Sequence, residues 1–163
     1  MEHQQAIAQA LRDIDPSAFL LADHAWLRVV LDALDPGSGQ YVDLHEKLEQ
    51  LVPSIELHIR QEEEFFFPAV EPVMKELGTG STEDMYGEHD AIRIRIDELF
   101  RAFHSPTDIN RAYDSFVRSL LVHFENEEEL IFAEAPSHLS EMTRREVIAQ
   151  IEASMTRGFG QQG

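Results

Sequence analysis

The chain has 163 residues, of which 31 are acidic and 13 are basic; its formal net charge is −18 and it has no cysteine. This length is typical of one domain with a full apolar core. The lack of cysteine excludes disulfides, thiolate-bound zinc and cysteine-bound iron–sulfur clusters. The strong negative charge disfavours nucleic acids and anionic lipid surfaces as partners, because both would be repelled.

The N-terminal segment, MEHQQAIAQALRDID, has neither a basic start nor an apolar stretch of the kind found in signal peptides. No apolar run in the sequence approaches the length of a membrane span. We therefore expect a cytoplasmic protein that does not bind membranes.

Apolar residues recur at helical spacing along most of the chain, and strand patterns are nearly absent. The first strong helix is predicted to open at Asp15-Pro16-Ser17 and to run to about residue 34. A second begins near residue 41 and continues past His58. We expect Pro68 and Pro72 to kink or end it, because each lacks a backbone donor.

Ser81 or Thr82 is predicted to cap a third helix that reaches about residue 103, and a fourth follows Ser105-Pro106-Thr107 and ends before Pro136. Short connections favour antiparallel neighbours, so the predicted fold is all-α: an up-down antiparallel four-helix bundle with additional terminal helical segments. We expect one domain, 1–163, with its core at about 18–135, a C-terminal helical segment at 136–157 and a flexible tail at 158–163.

The most informative feature of the sequence is an internal repeat. A shift of 65 residues places LHIRQEEEFFFPAV (57–70) on VHFENEEELIFAEA (122–135), and five of these fourteen positions are identical. The same shift aligns DHAWLR (23–28) with EHDAIR (88–93). The first predicted hairpin therefore resembles the second, as expected after duplication of a helical hairpin.

The repeat pairs four histidines and two glutamates: His24 with His89, His58 with His123, and Glu62 with Glu127. Because a helix advances about 100° per residue, each of these side chains falls on an apolar stripe facing the bundle interior. Buried carboxylates require a positive partner, and no lysine or arginine lies centrally on those stripes. We therefore predict a metal centre; six nitrogen and oxygen donors exceed a closed tetrahedral zinc site and suit two metals.

The order His24, His58-x-x-x-Glu62, His89, His123-x-x-x-Glu127 resembles the hemerythrin-like (HHE cation-binding) domain over about residues 18–135. The resemblance implies a four-helix bundle that holds two irons per chain, bridged by the two glutamates and by an oxo or hydroxo group. It implies no catalytic residue beyond the metal ligands.

The sequence departs from the five-histidine pattern of the oxygen-carrying hemerythrins, because Arg93 stands where their third helix has a second histidine. It is similar to the H-HxxxE-H-HxxxE subgroup of bacterial proteins. Fewer imidazoles leave more open positions on the metal, which favours reaction with O₂, peroxide or NO. One hypothesis is thus a catalase-like or peroxidase-like oxidoreductase; the alternatives are reversible O₂ or NO binding or iron sequestration without turnover, and a metal-free helical interaction module.

The remaining polar residues near the motifs have less specific predictions. His3, His45, His104 and His138 are not expected to be ligands. Glu63, Glu64, Glu128 and Glu129 are expected to face mostly solvent, with Glu63 and Glu128 close enough to support the ligands. Arg28 and Arg93 are interpreted as partners of surface acids; the alternative is that one of them lines the entrance to the site or orients a carboxylate. On the same 100° wheel, Phe65, Phe66 and Leu130 point inward and Phe67 points away, while Trp26 packs on a terminal helix or in a homodimer contact.

Overall fold

The computed structural model describes residues 2–34, 36–38 and 41–159. Within them the α-helices are α1 (Glu2–Asp13), α2 (Pro16–Ala33), α3 (Tyr41–Gln61), α4 (Phe67–Leu77), α5 (Glu83–Ala102), α6 (Ile109–Glu127) and α7 (Glu141–Phe159). Short 3₁₀ turns lie at Pro36–Ser38, Pro106–Asp108 and Ala135–His138, and the described residues contain no strand. The predicted all-α fold is confirmed.

The helix ends follow local sequence signals. The Asp15 side chain accepts a hydrogen bond from the Ser17 N–H at 3.0 Å and caps α2, whose first residue is Pro16. Gly78 ends α4 with a φ of 67°. Glycine adopts this left-handed conformation at little energetic cost, because it has no Cβ atom. The boundaries predicted for the four core helices are therefore close to those observed.

Helix α3 does not stop at its prolines but widens into a π-helical turn at Glu62–Phe66 and continues as α4. In this turn the Phe67 N–H donates to the Glu62 carbonyl, five residues back. The N–H that would continue the ladder from the next residue is missing, because that residue is Pro68. A second π-helical turn, Glu128–Phe132, follows α6.

These wide turns correct three of the predicted side-chain directions. Each residue of a π-helical turn rotates by less than the 100° of an α-helix, so the phase shifts after Glu62 and Glu127. Phe67, predicted to point away, is fully buried; Phe65 is only half-buried, and Leu130, predicted inward, is 53% exposed. Phe66 is buried as predicted.

Two apolar clusters fill the bundle, one on each side of the layer that contains the paired histidines. We call the first cluster the lower core; it lies between α2, α3, α5 and α6. It includes Leu27, Leu31, Leu48, Ile55, Ile96, Phe116 and Phe124. We call the second cluster the upper core; it joins α4 and the second π-helical turn to α7. It includes Phe66, Phe67, Val70, Met74, Ile148 and Ile151.

Helix α7 continues to Phe159, so residues 158 and 159, which were predicted to begin the flexible tail, are helical; residues 160–163 lie outside the described part of the chain. Trp26 is 41% exposed, and the homodimer stays a prediction. In the described ranges no helix is both long and apolar enough to cross a membrane.

Candidate metal centre

The six residues paired by the sequence repeat meet between the two apolar cores, although they come from different helices and π-helical turns. All of them are at most 2% exposed: His24, His58, Glu62, His89, His123 and Glu127. Their ligand atoms form two overlapping groups, each within 4.8 Å, and both groups contain Glu62 and Glu127. The arrangement is therefore a pair of adjacent positions that share two carboxylates.

The Nε2 atoms of the histidines face one another in pairs. His24 Nε2 lies 3.0 Å from His58 Nε2, and His89 Nε2 lies 2.9 Å from His123 Nε2. Glu62 joins the two pairs, with Oε1 2.9 Å from His58 Nε2 and Oε2 3.2 Å from His89 Nε2. Each pair of imidazoles thus shares Glu62 with the other.

Glu127 makes the second connection between the pairs. Its Oε2 lies 3.3 Å from His24 Nε2 and also 3.3 Å from His123 Nε2. Since Glu62 follows α3 and Glu127 ends α6, the two carboxylates approach from different hairpins. Each of the two carboxylates thus contacts one histidine of each pair.

The outer nitrogen of every ring contacts a carboxylate. His24 Nδ1 lies 2.9 Å from Glu128, and His89 Nδ1 lies 2.9 Å from Glu63. Because an ionised carboxylate can only accept, each Nδ1 carries the proton of the neutral imidazole. In a neutral ring the inward Nε2 atom is then a bare acceptor.

The other two rings have the same support from within their own hairpins. His58 Nδ1 lies 3.2 Å from Asp23, and His123 Nδ1 lies 2.8 Å from Glu88. Outer carboxylates of this kind orient metal-binding imidazoles and raise their basicity. The sequence analysis missed Asp23 and Glu88, although the 65-residue shift that pairs His24 with His89 also pairs these two acids.

The donor set fits a metal cation. The four carboxylate oxygens of Glu62 and Glu127 are buried without a hydrogen bond. With all four imidazoles neutral and both glutamates ionised, acceptors would meet acceptors at about 3 Å with no donor between them. Such a cluster is costly in an apolar interior unless positive charge enters it.

In the metal-free chain, protons supply part of this positive charge. Burial, together with the nearby Glu62 charge, raises the pKa of Glu127 well above its usual range. Burial alone would lower the pKa of His58, but the charges of Glu62 and Asp23 outweigh it and raise that pKa to about 10. Metal binding is therefore expected to release protons.

Arginines hold two of the outer carboxylates in place. Arg28 donates to Glu128 at 2.8 Å, and Arg93 donates to both oxygens of Glu63 at 3.1 and 3.2 Å. Glu63 and Glu128, expected to face mostly solvent, are only 21% and 29% exposed. Both arginines, rather than one, orient a carboxylate.

Aromatic rings from the cores and the π-helical turns restrain the imidazole planes. His24 stacks on Phe124, with ring centroids 3.9 Å apart and an interplanar angle of 18°, and Phe132 lies 5.5 Å away. His89 stacks on Phe67 at 5.6 Å and 13°. The rotation of Phe67 into the interior by the first π-helical turn therefore places it against a candidate ligand.

The other histidines whose side chains are described lie away from this cluster. His45 and His138 each approach a glutamate one helical turn away, at 3.6 Å in both cases, and His104 is exposed. The side chain of His3 falls outside the described part of the chain.

A four-helix bundle with a buried cluster of histidines and glutamates defines a class of cation-binding protein. The sequence model of the hemerythrin HHE cation-binding domain matches residues 15–135, well over half of the chain, and matches again over 82–152. The chain belongs to this family, whose members bind cations, typically iron. No curated protein and no solved structure matches it.

Proposed function

We propose that the chain is a non-haem di-iron protein in which Glu62 and Glu127 bridge two iron ions. One ion would take His24 and His58, and the other would take His89 and His123. The observation that carries this proposal is the division of the buried donors into two groups that share both glutamates. Each position then has two imidazole nitrogens and two carboxylate oxygens.

The donor types favour iron over the common alternatives. Structural zinc sites are built largely on cysteine thiolates, and this chain has no cysteine. Calcium and magnesium prefer all-oxygen sites, and four of these six residues are histidines. Two histidines with carboxylate oxygens are the set that non-haem iron uses when it keeps open positions.

When bound, the two irons would supply open coordination positions and a change of redox state for peroxide, O₂ or NO. The protein restricts access to molecules of this size, because the six candidate ligands are at most 2% exposed. A surface cleft of about 580 Å³ is lined by Arg28, Asp32, Glu125 and apolar residues of α2 and α6 and by none of the six. We therefore propose reaction with small oxidants, with peroxide detoxification as its form.

The same burial favours a second candidate function, reversible binding of O₂ or NO without turnover. The two apolar cores enclose the centre on both sides and would keep water from a bound gas. The two functions differ in whether peroxide is consumed repeatedly.

The test is iron analysis of the purified chain with absorption spectra before and after peroxide. We expect two irons per chain, near-ultraviolet charge-transfer absorption, and peroxide-dependent O₂ release that disappears in His58→Ala. The matched control is His45→Ala, a change on the same helix outside the cluster, which should retain iron and activity. A spectrum that forms with O₂ and reverses under argon, without peroxide turnover, would favour the binding function, and a chain that takes up no metal would contradict both.

A further inference from the structure

A surface cleft where α5 joins α6 has a charge balance opposite to that of the whole chain. The cleft has a volume of about 530 Å³. Its charged lining residues are three arginines, Arg95, Arg101 and Arg111, and two acids, Glu98 and Asp108. The whole chain has 31 acidic and 13 basic residues. A cleft in which arginines outnumber acids is therefore a distinct feature of this surface.

The spacing of these residues on the two helices brings them to one cleft. Arg95 and Glu98 lie three residues apart on one face of α5, and Arg101 borders that face near the end of the helix. On α6, Arg111 lies three residues after Asp108. The two helices are joined by a short connection, so their cationic side chains meet at this end of the bundle.

The guanidinium groups have N–H donors available for a ligand. Arg95 donates to Glu98 at 2.6 Å and Arg111 donates to Asp108 at 3.2 Å, so each contact uses part of a five-donor group. These four side chains are 42–84% exposed, and ion pairs at such exposure contribute little free energy. Arg101 is exposed, and its guanidinium has no hydrogen bond or ion pair with any residue that the structure describes.

The neutral residues of the cleft also suit a small anionic molecule. Ser105 and Ser115 line it and add hydroxyl donors. Ala102 is buried and Ala112 is half-buried, and both line the cleft. Because alanine side chains are short, the two residues leave space between the longer arginines. The cleft thus combines polar donors with a small apolar floor.

The net charge of −18 opposes anions in general, but its effect at this cleft is limited. At physiological ionic strength, exposed charges are largely screened beyond about 8 Å. The candidate metal ligands are farther away, since Arg101 follows His89 by twelve residues of α5, about 18 Å along the helix. The lining residues therefore decide which ions the cleft attracts, independently of the candidate metal centre.

We propose that this cleft binds a small polyanion, a molecule that carries a phosphate or diphosphate group. Guanidinium groups match phosphate oxygens with paired hydrogen bonds, and every cation in the cleft is an arginine. A volume of about 530 Å³ is typical of small-molecule sites, whereas a stable protein partner needs a broader surface. The site does not depend on the proposed function of the metal centre.

The test is calorimetric titration of the purified chain, with its metal as isolated, using pyrophosphate at low and at physiological salt. We expect one pyrophosphate per chain and weaker binding at the higher salt. Arg101→Ala should weaken binding by about 10-fold, because it removes charged hydrogen bonds to the ligand. The matched control is Arg118→Ala, which removes the same charge from an exposed position of α6 outside the cleft and should leave the affinity nearly unchanged.

A second variant should act in the opposite direction. Glu98→Gln removes an acid from the cleft and releases Arg95, so we expect tighter pyrophosphate binding. Circular dichroism checks that the variants fold, and metal analysis checks that pyrophosphate has removed no metal.

Three results would overturn the inference without affecting the proposed function. The first is a wild-type chain that binds no pyrophosphate. The second is binding that Arg101→Ala leaves unchanged, which would place the ion at the metal centre or elsewhere. The third is tighter binding of a polyglutamate peptide than of pyrophosphate, which would assign this surface to an acidic protein partner.

Discussion

At the scale of single residues, the centre is defined by where hydrogen-bond donors are missing. The outer nitrogens of the imidazoles are used by carboxylates, so the inner nitrogens of the neutral rings present only lone pairs. Glu62 and Glu127 add four more acceptor oxygens that have no hydrogen bond. A cation satisfies all of these atoms together, which is why residues so costly to bury are found in the interior.

This charge balance predicts that Glu127→Gln stabilises the metal-free chain while preventing normal metal loading. The amide is neutral without having to bind a proton, and it supplies a donor to the imidazole nitrogens. The native pKa of Glu127 is raised, so its destabilising effect is absent below the unfolded-state pKa and increases with pH above it. We expect a gain of about 1–3 kcal/mol in the free energy of unfolding at pH 7, and almost none near pH 4.

Denaturant unfolding of the metal-free proteins at the two pH values measures this gain. The control is Glu125→Gln on the same helix, an exposed glutamate two residues away. If Glu127→Gln were no more stable than the wild type at pH 7, the cost of burying the carboxylates would already be offset in the metal-free chain.

The six buried residues could be predicted from the sequence because the repeat gives each of them an equivalent at the same offset. Asp23 and Glu88 could not be identified as easily, since an acid next to a buried histidine is usually a solvated surface residue. Their role depends on the direction of a short side chain across a helix interface, which spacing along one helix does not determine.

At the scale of the helices, the two π-helical turns explain where prediction by a fixed rotation fails. Up to Glu62 and Glu127 the helices are regular, and the six paired residues are buried as predicted. Beyond those residues the turn widens, and Phe67 and Phe132 enter the interior beside His89 and His24. Pro68 accounts for part of the first turn, but the second has no proline at the equivalent position, Ala133. No pattern in the second segment therefore distinguishes it from an ordinary helix.

Helix α5 starts with a cap that comes from another helix. Glu71 of α4 accepts hydrogen bonds from the Thr82 N–H at 2.8 Å and its hydroxyl at 2.7 Å, and from the Ser81 hydroxyl at 3.1 Å. These bonds lower the pKa of Glu71 to about 2. Ser81, one of the two caps predicted from the sequence, accepts from the Glu83 N–H at 3.1 Å, and the charge at this end comes from Glu71.

We predict that Glu71→Gln lowers the free energy of unfolding at pH 7 by about 1–2 kcal/mol, the usual effect of losing a helix cap. Because the native pKa is depressed, the wild-type advantage is complete above the unfolded-state pKa of about 4.5 and disappears as the pH falls toward 2. Thermal unfolding between pH 7 and pH 2 measures it, with the exposed Glu76→Gln as control. A difference between Glu71→Gln and wild type that does not change with pH would contradict this explanation.

At the scale of the whole molecule, the candidate metal centre brings together side chains from both helical hairpins. The candidate ligands belong to α2, α3 with its π-helical turn, α5 and α6, so bound ions would join all four core helices. The apolar clusters above and below hold the same helices by packing. Burial of these clusters could be predicted from helical periodicity, whereas the contribution of α7 to the upper core could not, because its apolar face is short and its partners are distant in sequence.

Metal loading is therefore expected to stabilise the fold as a whole. An ion present at 100 times its dissociation constant adds about 2.7 kcal/mol to the free energy of unfolding, and for a chain of this size each kcal/mol raises the unfolding temperature by about 2–4 °C. We predict that anaerobic Fe²⁺ raises the unfolding temperature by at least about 5 °C, and that a chelator reverses the gain.

Two variants distinguish stabilisation by bound metal from stabilisation by apolar packing. Ile151→Ala opens a cavity at a fully buried position of α7 and should lower the stability of both forms by about 2–5 kcal/mol, leaving the gain from metal unchanged. Glu127→Gln should instead remove most of the gain, because it removes a ligand shared by both positions. If Ile151→Ala also abolished the stabilisation by metal, assembly of the centre would depend on the upper core. The centre would then not simply join two hairpins that packing has already brought together.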